Sequence, residues 1–549
     1  MTFKIVKIFP IILSFLFLVN PNQKSFAAEY YVAPSGSDQN PGTLTQPWQT
    51  IGQANKTVQP GDIVYLREGR YQETIQPSQD GSDNLPIIYS GFQDEVAVIH
   101  SRPQGVSLTG RNYIIIQGLY FESCDYFVRS YPDGCDFCII RDCQMSQQTG
   151  WCGIEIGDGS AFNQVLNNKI NSSGVEGDCI HIGLDAVGEK FGARHNLVTN
   201  NECFGALHGG ICCAGDKTCF NIIKDNYIHD IGDNAIATGA LTKWVVIEGN
   251  RIHNPGIDAD GACGIQLRSE SGIIRNNILT RDADVTIQSN AAALELQSTP
   301  DRPFVRYNKI YHNVIYNFSQ GTNVWYGVKL AVYNTEVQFG PNVFKNNIIF
   351  KNGTGAGKGF QIGYTRQVEN MPIDGFSANL MSNGLVGNAV IYFFEFDMLA
   401  ISVHQATQQY PTVFTESNFD ALPNFKNESQ HNFSLQPGSP CIDAGVFLTK
   451  STDSGVGYEL HVEDAGYFCD GWGITEGDEV KVGFNNPAKI RRIDYEKNKI
   501  TVNKLISWQV GDPVSLAYKG KAPDVGAFEY DGADRVAPAA PTDVKVRLP

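Results

Sequence analysis

The chain has 549 residues, with 42 Lys and Arg against 58 Asp and Glu, for a formal charge of −16. It lacks the basic footprint of a nucleic-acid binder, and its acidic surface would attract a polyanion only where local cations are placed. Hydrophobic residues make up 42%, which excludes a disordered chain, and 55 glycines with abundant Asn favour strands and tight turns over helices.

Lys4 and Lys7 precede an apolar run from Ile8 to Val19, Asn20-Pro21-Asn22 breaks it, and Ser25-Phe26-Ala27 fits a small-x-small cleavage pattern. Residues 1–27 or 1–28 are therefore read as a signal peptide, because the run falls short of the roughly 20 residues that span a bilayer. No later apolar stretch is long enough to cross a membrane, so the expected location is secreted, extracellular or periplasmic. All 13 cysteines lie between Cys124 and Cys469. Export permits disulfides, but an odd count leaves at least one thiol, and Cys135-x-x-Cys138 has no second pair to complete a zinc set.

From residue 110 to 350 a short phrase recurs: apolar, x, Asn-Asn, x, apolar. Leu166-Asn167-Asn168-Lys169-Ile170 is one copy, and its second position returns at 201, 226, 250, 277, 308 and 347. The commonest steps, 24 and 25 residues, with insertions in some turns, are a solenoid signature. Short alternating strands bounded by Gly, Asn and Asp make it a β-solenoid. Asn suits a fixed turn position because it tolerates left-handed φ and its amide can bond the next coil.

Each period holds a second phrase, as in Gly153-Ile154-Glu155-Ile156 and Cys179-Ile180-His181-Ile182. Alternation turns the second and fourth residues inward and the third outward. The third residues then form one exterior stripe, Glu155, His181, Cys212, Ala237, Gln266, Glu295, Lys329 and Gln361, with Arg268 and Gln297 two positions further on.

These repeats resemble the right-handed parallel β-helix proteins of the pectate-lyase-like group. Tyr30-Tyr31-Val32-Ala33-Pro34-Ser35-Gly36-Ser37-Asp38, Asn40-Pro41-Gly42-Thr43, Pro47-Trp48 and Pro60-Gly61-Asp62-Ile63-Val64-Tyr65-Leu66 are similar to the N-terminal cap of secreted members. Pro437-Gly438-Ser439-Pro440-Cys441-Ile442-Asp443-Ala444-Gly445 and Asp524-Val525-Gly526-Ala527-Phe528-Glu529-Tyr530 resemble their usual ending. The expected fold is all-β: a parallel β-helix with an N-terminal cap and a small inserted C-terminal β module. The expected divisions are 1–28 signal peptide, 29–100 cap and first coils, 101–445 helix, 446–522 inserted barrel-like module, and 523–549 closing strand and linker.

The resemblance implies a substrate groove outside one sheet, so the stripe is the place to look. Lyase chemistry on a uronate polymer needs a base, a cation near the carboxylate and a donor to the leaving oxygen. Lys329 is the candidate base, Arg268 the carboxylate partner, and Glu295 either a metal holder or the residue that orients Lys329. The alternative is a salt bridge on a solvated face. His181 and His208, with Asp178 and Asp233, form a second candidate group on three neighbouring coils, either an acid–base set or a cation site, or else plain turn residues. Gln266, Glu155 and Gln361 would contact substrate, and Trp325, like Trp151 and Tyr326, would stack on sugar rings. Calcium is the candidate cofactor, through these carboxylates or the stretch Asp80-Gly81-Ser82-Asp83-Asn84. The expected function is an exported, monomeric carbohydrate-active protein acting on an acidic polysaccharide, as a lyase or a related epimerase or hydrolase; the alternative is a non-catalytic glycan-binding or structural rod.

Overall fold

The computed structural model describes residues 27–532, apart from 102, 158, 174–175, 184–190, 240, 258–261, 283–291, 300–303, 319–324, 333–337, 353–358, 365–374 and 394–398. Residues 1–26 of the proposed signal peptide lie outside the described residues. Among the described residues three sheets of 13, 12 and 12 strands, parallel except for the last strand Leu399–Ile401, take one strand in turn from each coil. The first wall runs through Gln164–Leu166, Leu197–Thr199 and Cys219–Lys224, the second through Cys152–Ile156, Asp178–Gly183 and Ile211–Ala214, and the third through Lys169–Asn171, Glu202–Phe204 and Tyr227–Ile231. This is the expected parallel β-helix.

The paired-Asn phrase divides two jobs between its two positions. The first takes the left-handed turn that joins the first wall to the third, at φ 54° for Asn167, 56° for Asn200, 55° for Asp225 and 55° for Asn276, a region costly for most side chains. The second is buried and bridges rungs. Asn277 accepts from Asn250 N and Nδ2 at 3.0 Å, and donates to Ile247 O at 2.9 Å and to Asn313 Oδ1 at 3.0 Å. This ladder continues through Asn347, Asn379 and Asn418. Asn308, expected in it, belongs instead to a parallel ladder one corner earlier, bonded to Asn342; its place is taken by Asn313. Replacing Asn277 by Ala orphans the buried Asn250 N–H and Ile247 carbonyl, at about 1–3 kcal/mol each. Hydrogen exchange should register about 2–4 kcal/mol lost in the flanking coils.

Inside the first wall Ile140, Val165, Val198, Ile223, Ile247, Ile274 and Ile310 stack rung on rung, all buried. Both ends are closed by short helices. Ile51–Thr57 starts at Thr50, whose side chain accepts from Gln53 N, and buries Ile51 and Ala54; Val403–Gln409, capped by Ser402, buries Val403 and Ala406. These plugs cover the apolar ends of the stack. The N-terminal motif also explains itself: Trp48 Nε1 donates to Asn40 O at 2.9 Å, and Gly42 at φ 80° leaves room for the indole.

A six-stranded antiparallel sheet lies between Thr449 and Leu516. It docks on the outside of the first wall, where Leu197, Ile222, Val246 and Ile273 turn outward and pack against Leu460, Ile500 and Val514. Of the 13 cysteines, 11 are buried. Asp80 bonds to Asn112 and lies 3.6 Å from Arg111, which gives it a cationic partner without calcium. No described helix is long and apolar enough to cross a membrane.

Candidate functional site

On the second wall strand register places Glu155, His181, Cys212, Ala237, Gln266, Glu295 and Lys329 on successive rungs in one outward column. Their inward neighbours Ile154, Ile180, Ile211, Ile236, Ile265, Leu294 and Val328 fill the core. Gln361 does not join the column. Val328 pairs with Ile362, so Gly363 takes the position beside Lys329, and the Tyr326 ring lies against it. Gln361 is buried instead at the end of a polar ladder, where it accepts from Asn352 Nδ2 at 2.9 Å and donates to Asn352 O at 2.6 Å. It is not a substrate contact; the phrase beginning at Gly359 is two residues out of register. Trp325 opens the strand Trp325–Val332, and its side chain lies outside the described residues.

The column is not the solvated face it was expected to be. Glu295 is only 1% exposed, and Glu155, His181, Gln266 and Lys329 are buried. Glu295 Oε1 pairs with Lys329 Nζ at 2.8 Å, while its Oε2 accepts from Gln266 Nε2 at 3.1 Å and from Cys263 Sγ at 3.2 Å. Lys329 is therefore held as the cation of a buried pair, and to serve as a base it would first have to yield a proton beside that carboxylate. Arg268 stands apart: its Nε donates to Gln297 Oε1 at 2.7 Å, and the register puts it two rungs and two positions from Lys329, on the order of 10 Å.

The other candidate group is brought together. Asp178, fully buried, accepts from His181 Nδ1 through Oδ2 and from His208 Nδ1 through Oδ1, each at 2.7 Å. A carboxylate only accepts, so both Nδ1 atoms carry hydrogen. Gly209 makes the approach possible, because a Cβ there would lie 2.3 Å from Asp178 Oδ1. Burial opposes ionisation of Asp178, yet the two imidazole bonds outweigh it and hold the carboxyl below its usual range. For His181 burial disfavours the charged ring, but the Cys212 sulfur and then Asp178 raise its pKa above the ordinary value. The His208 side chain is 57% exposed. Asp233 donates its backbone N–H to His208 O at 3.0 Å. Its carboxyl is pushed up to about 6, mainly by burial, with His208 opposing.

Trp151, 41% exposed, sets its ring 4.6 Å from that of His181 and offers an apolar face. One rung below His181, Glu155 pairs with Arg129 at 2.7 Å. Arg129 also lies over the rings of Tyr126 and Tyr131. Sequence reading missed this cation. The signal was present, since Tyr126-Phe127-Val128-Arg129 is one more copy of the alternating strand without its Gly. Calcium fits this group poorly: it asks for six to eight oxygens, and both Asp178 oxygens already accept from imidazoles, with sulfur and nitrogen as the remaining near donors.

A family model described as "Pel9A-like, right handed beta helix region" matches residues 30–186, and one described as "Right handed beta helix region" matches residues 185–337. The chain is 24% identical over 471 residues to "Uncharacterized protein YwoF" of Bacillus subtilis (strain 168), covering 78% of this chain and 96% of that one. It is 36% identical over 75 residues to "Pectate lyase PEL9" of Emericella nidulans, covering 13% of this chain and 18% of that one. Among solved structures, the complex of XylC with xylose aligns over 88% of this chain and 99% of the other, at 13% identity and a TM-score of 0.47. Three parallel walls wound coil by coil and two consecutive family matches across residues 30–337 lead to one assignment: the chain is a right-handed parallel β-helix protein of the pectate-lyase-like group.

Proposed function

We propose that the protein is an exported carbohydrate-active enzyme that cleaves an acidic polysaccharide by β-elimination on its second wall. The observation that carries this reading is the single buried carboxylate of Asp178 fixing two imidazoles through Nδ1 at 2.7 Å each. Elimination breaks C5–H and C4–O of a uronate and forms C4=C5. His208, the more exposed ring, removes the C5 proton through Nε2. His181, whose pKa is raised, favours positive charge where the uronate carboxylate becomes enediolate-like. Asp233, protonated at mildly acidic pH, gives its proton to the leaving oxygen. Trp151 stacks on a sugar ring, and Arg129, two rungs below His181 or roughly 10 Å away, binds a neighbouring carboxylate. The local likeness to a pectate lyase agrees with such a substrate.

Incubation with polygalacturonate, alginate and glycosaminoglycans tests the reading. The expected product is an unsaturated uronate, seen as new ultraviolet absorbance. New reducing ends without absorbance would make it a hydrolase, and neither signal would make it a non-catalytic glycan-binding rod. The same assay separates the two candidate bases. Lys329→Met is expected to keep more than about a tenth of the rate, and His208→Gln to lose about 100-fold or more; the reverse order would assign the base to Lys329.

A further inference from the structure

A second meeting of imidazoles and a carboxylate stands on the third wall, where the proposed chemistry makes no use of it. We infer that His253, Asp282 and His431 form a site for a divalent transition metal of the zinc type, which fastens the C-terminal segment to the solenoid. His253 lies on the strand Arg251–Pro255, beside the inward, buried Ile252, and Asp282 follows the next rung's strand, Ile278–Thr280. His431 arrives from far along the chain, at the end of the turn Glu428–Gln430, with φ 53°.

His253 Nε2 is 3.0 Å from Asp282 Oδ2, and His431 Nε2 is 3.6 Å from Asp282 Oδ1. One donor atom from each residue falls within 4.8 Å of the others. A tetrahedral zinc ion with bonds of about 2.0–2.1 Å has ligands about 3.3–3.4 Å apart, and the separations of the two rings from the two oxygens of Asp282 lie on either side of that value. The surroundings match a ligating set. His253 Nδ1 meets Thr280 Oγ1 at 3.0 Å, which orients the ring as outer partners of metal-bound histidines do. Asp282 is held by Asn254, which accepts from its N–H at 2.9 Å and donates to Oδ2 at 3.2 Å.

Asn254 Nδ2 also stands 3.1 Å from His253 Nε2. If Nε2 accepts that N–H, its lone-pair edge faces a carboxylate oxygen 3.0 Å away, a repulsion that a bridging cation would turn into attraction. Three protein ligands leave a fourth position for water, and the Asp282 side chain is 42% exposed, so an ion has a way in. The donors are two nitrogens and one carboxylate, which favours zinc, cobalt or nickel over calcium or magnesium.

Full-length protein stripped with EDTA and titrated with zinc chloride in a calorimeter is expected to bind an equivalent that His431→Gln and His253→Gln each abolish. Asn254→Ala should weaken it about 10-fold, and Cys212→Ala, on the second wall, should leave it intact. The melting temperature should rise with zinc in the wild type and not in either histidine variant. Near-ultraviolet circular dichroism checks that the variants fold. Failure of the wild type to bind zinc, or the same stoichiometry and affinity in wild type and both folded histidine variants, would overturn the site.

Discussion

Asp178→Asn is expected to lower kcat on the cleaved polyuronate by about 100- to 10,000-fold, with KM little changed. The side chain keeps its volume, so the strand Asp178–Gly183 should hold. What changes is chemistry: an amide has one acceptor oxygen where the carboxylate serves two Nδ1–H groups at 2.7 Å, so one ring is left facing an N–H and loses its orientation. The negative charge that, after Cys212, helps raise the His181 pKa also goes. Two pH measurements read this apart from general damage. Asp233 has a carboxyl pushed up to about 6, and as the acid it must carry its proton, so the rate should fall as pH rises through about 6, and Asp233→Asn should remove that limb. In stability, His181 has a raised folded pKa, so its contribution is complete below its unfolded value and fades as pH climbs through the folded one. Asp178 has a lowered folded pKa, so its contribution is present above the unfolded value and fades as pH falls. Stability of the wild type should therefore decline on both sides of this window, and Asp178→Asn should flatten both limbs. A variant with unchanged turnover and an unchanged profile would remove Asp178 from the site.

The second large effect lies where the antiparallel sheet meets the solenoid. Arg275, on the first wall, is 3% exposed in its side chain and bonds Asp478 at 2.5 and 2.7 Å and Glu248 at 2.9 Å. Asp478 also accepts from Cys469 N at 2.8 Å, and burial raises its carboxyl pKa against the pull of Arg275. Arg275→Leu leaves a buried carboxylate uncompensated, at about 3–5 kcal/mol. The loss should appear as faster hydrogen exchange and proteolysis across residues 449–516, with the solenoid coils protected as before. Arg275→Leu combined with Asp478→Leu should recover most of it, because the cost lies in the stranded charge and not in the missing pair. If the single variant is as protected as wild type, the sheet is held by the apolar face of Leu197, Ile222, Val246 and Ile273 and by contacts such as Lys309 with Asp464.

Those four residues mark where reading the chain fell short. Asn221-Ile222-Ile223, Val245-Val246-Ile247 and Gly272-Ile273-Ile274 keep the in–out geometry of a strand but not its apolar–polar pattern: the second residue of each is apolar yet points out, the third in. A strand apolar on both faces is covered on both, so the docking face was written into the first wall but not used. The grouping of Asp178, His181 and His208 was legible because the alternating phrase keeps its register from Ile180 to Ile211 although the coil between them is enlarged. Gln361 was misplaced because its coil follows an insertion that shifts the phrase by two residues, and Asn308 was confused with Asn313 because adjacent corners carry similar ladders. The closeness of His253 to His431 could not be read, since nothing in either neighbourhood names the other.

What the amino-acid order determined by itself was the rung: where the chain turns left-handed, which side chain fills the core and which amide reaches the next coil. These are local properties that repeat every turn, so one period suffices to read them. Tertiary structure alone decided whether the outward column is open or covered, which rung meets which after an insertion, and what packs on each wall. Burial depends on segments arriving from far along the chain, and it is burial that turns Glu295 and Lys329 from an exposed pair into a closed one and lifts the acid of Asp233 toward neutrality.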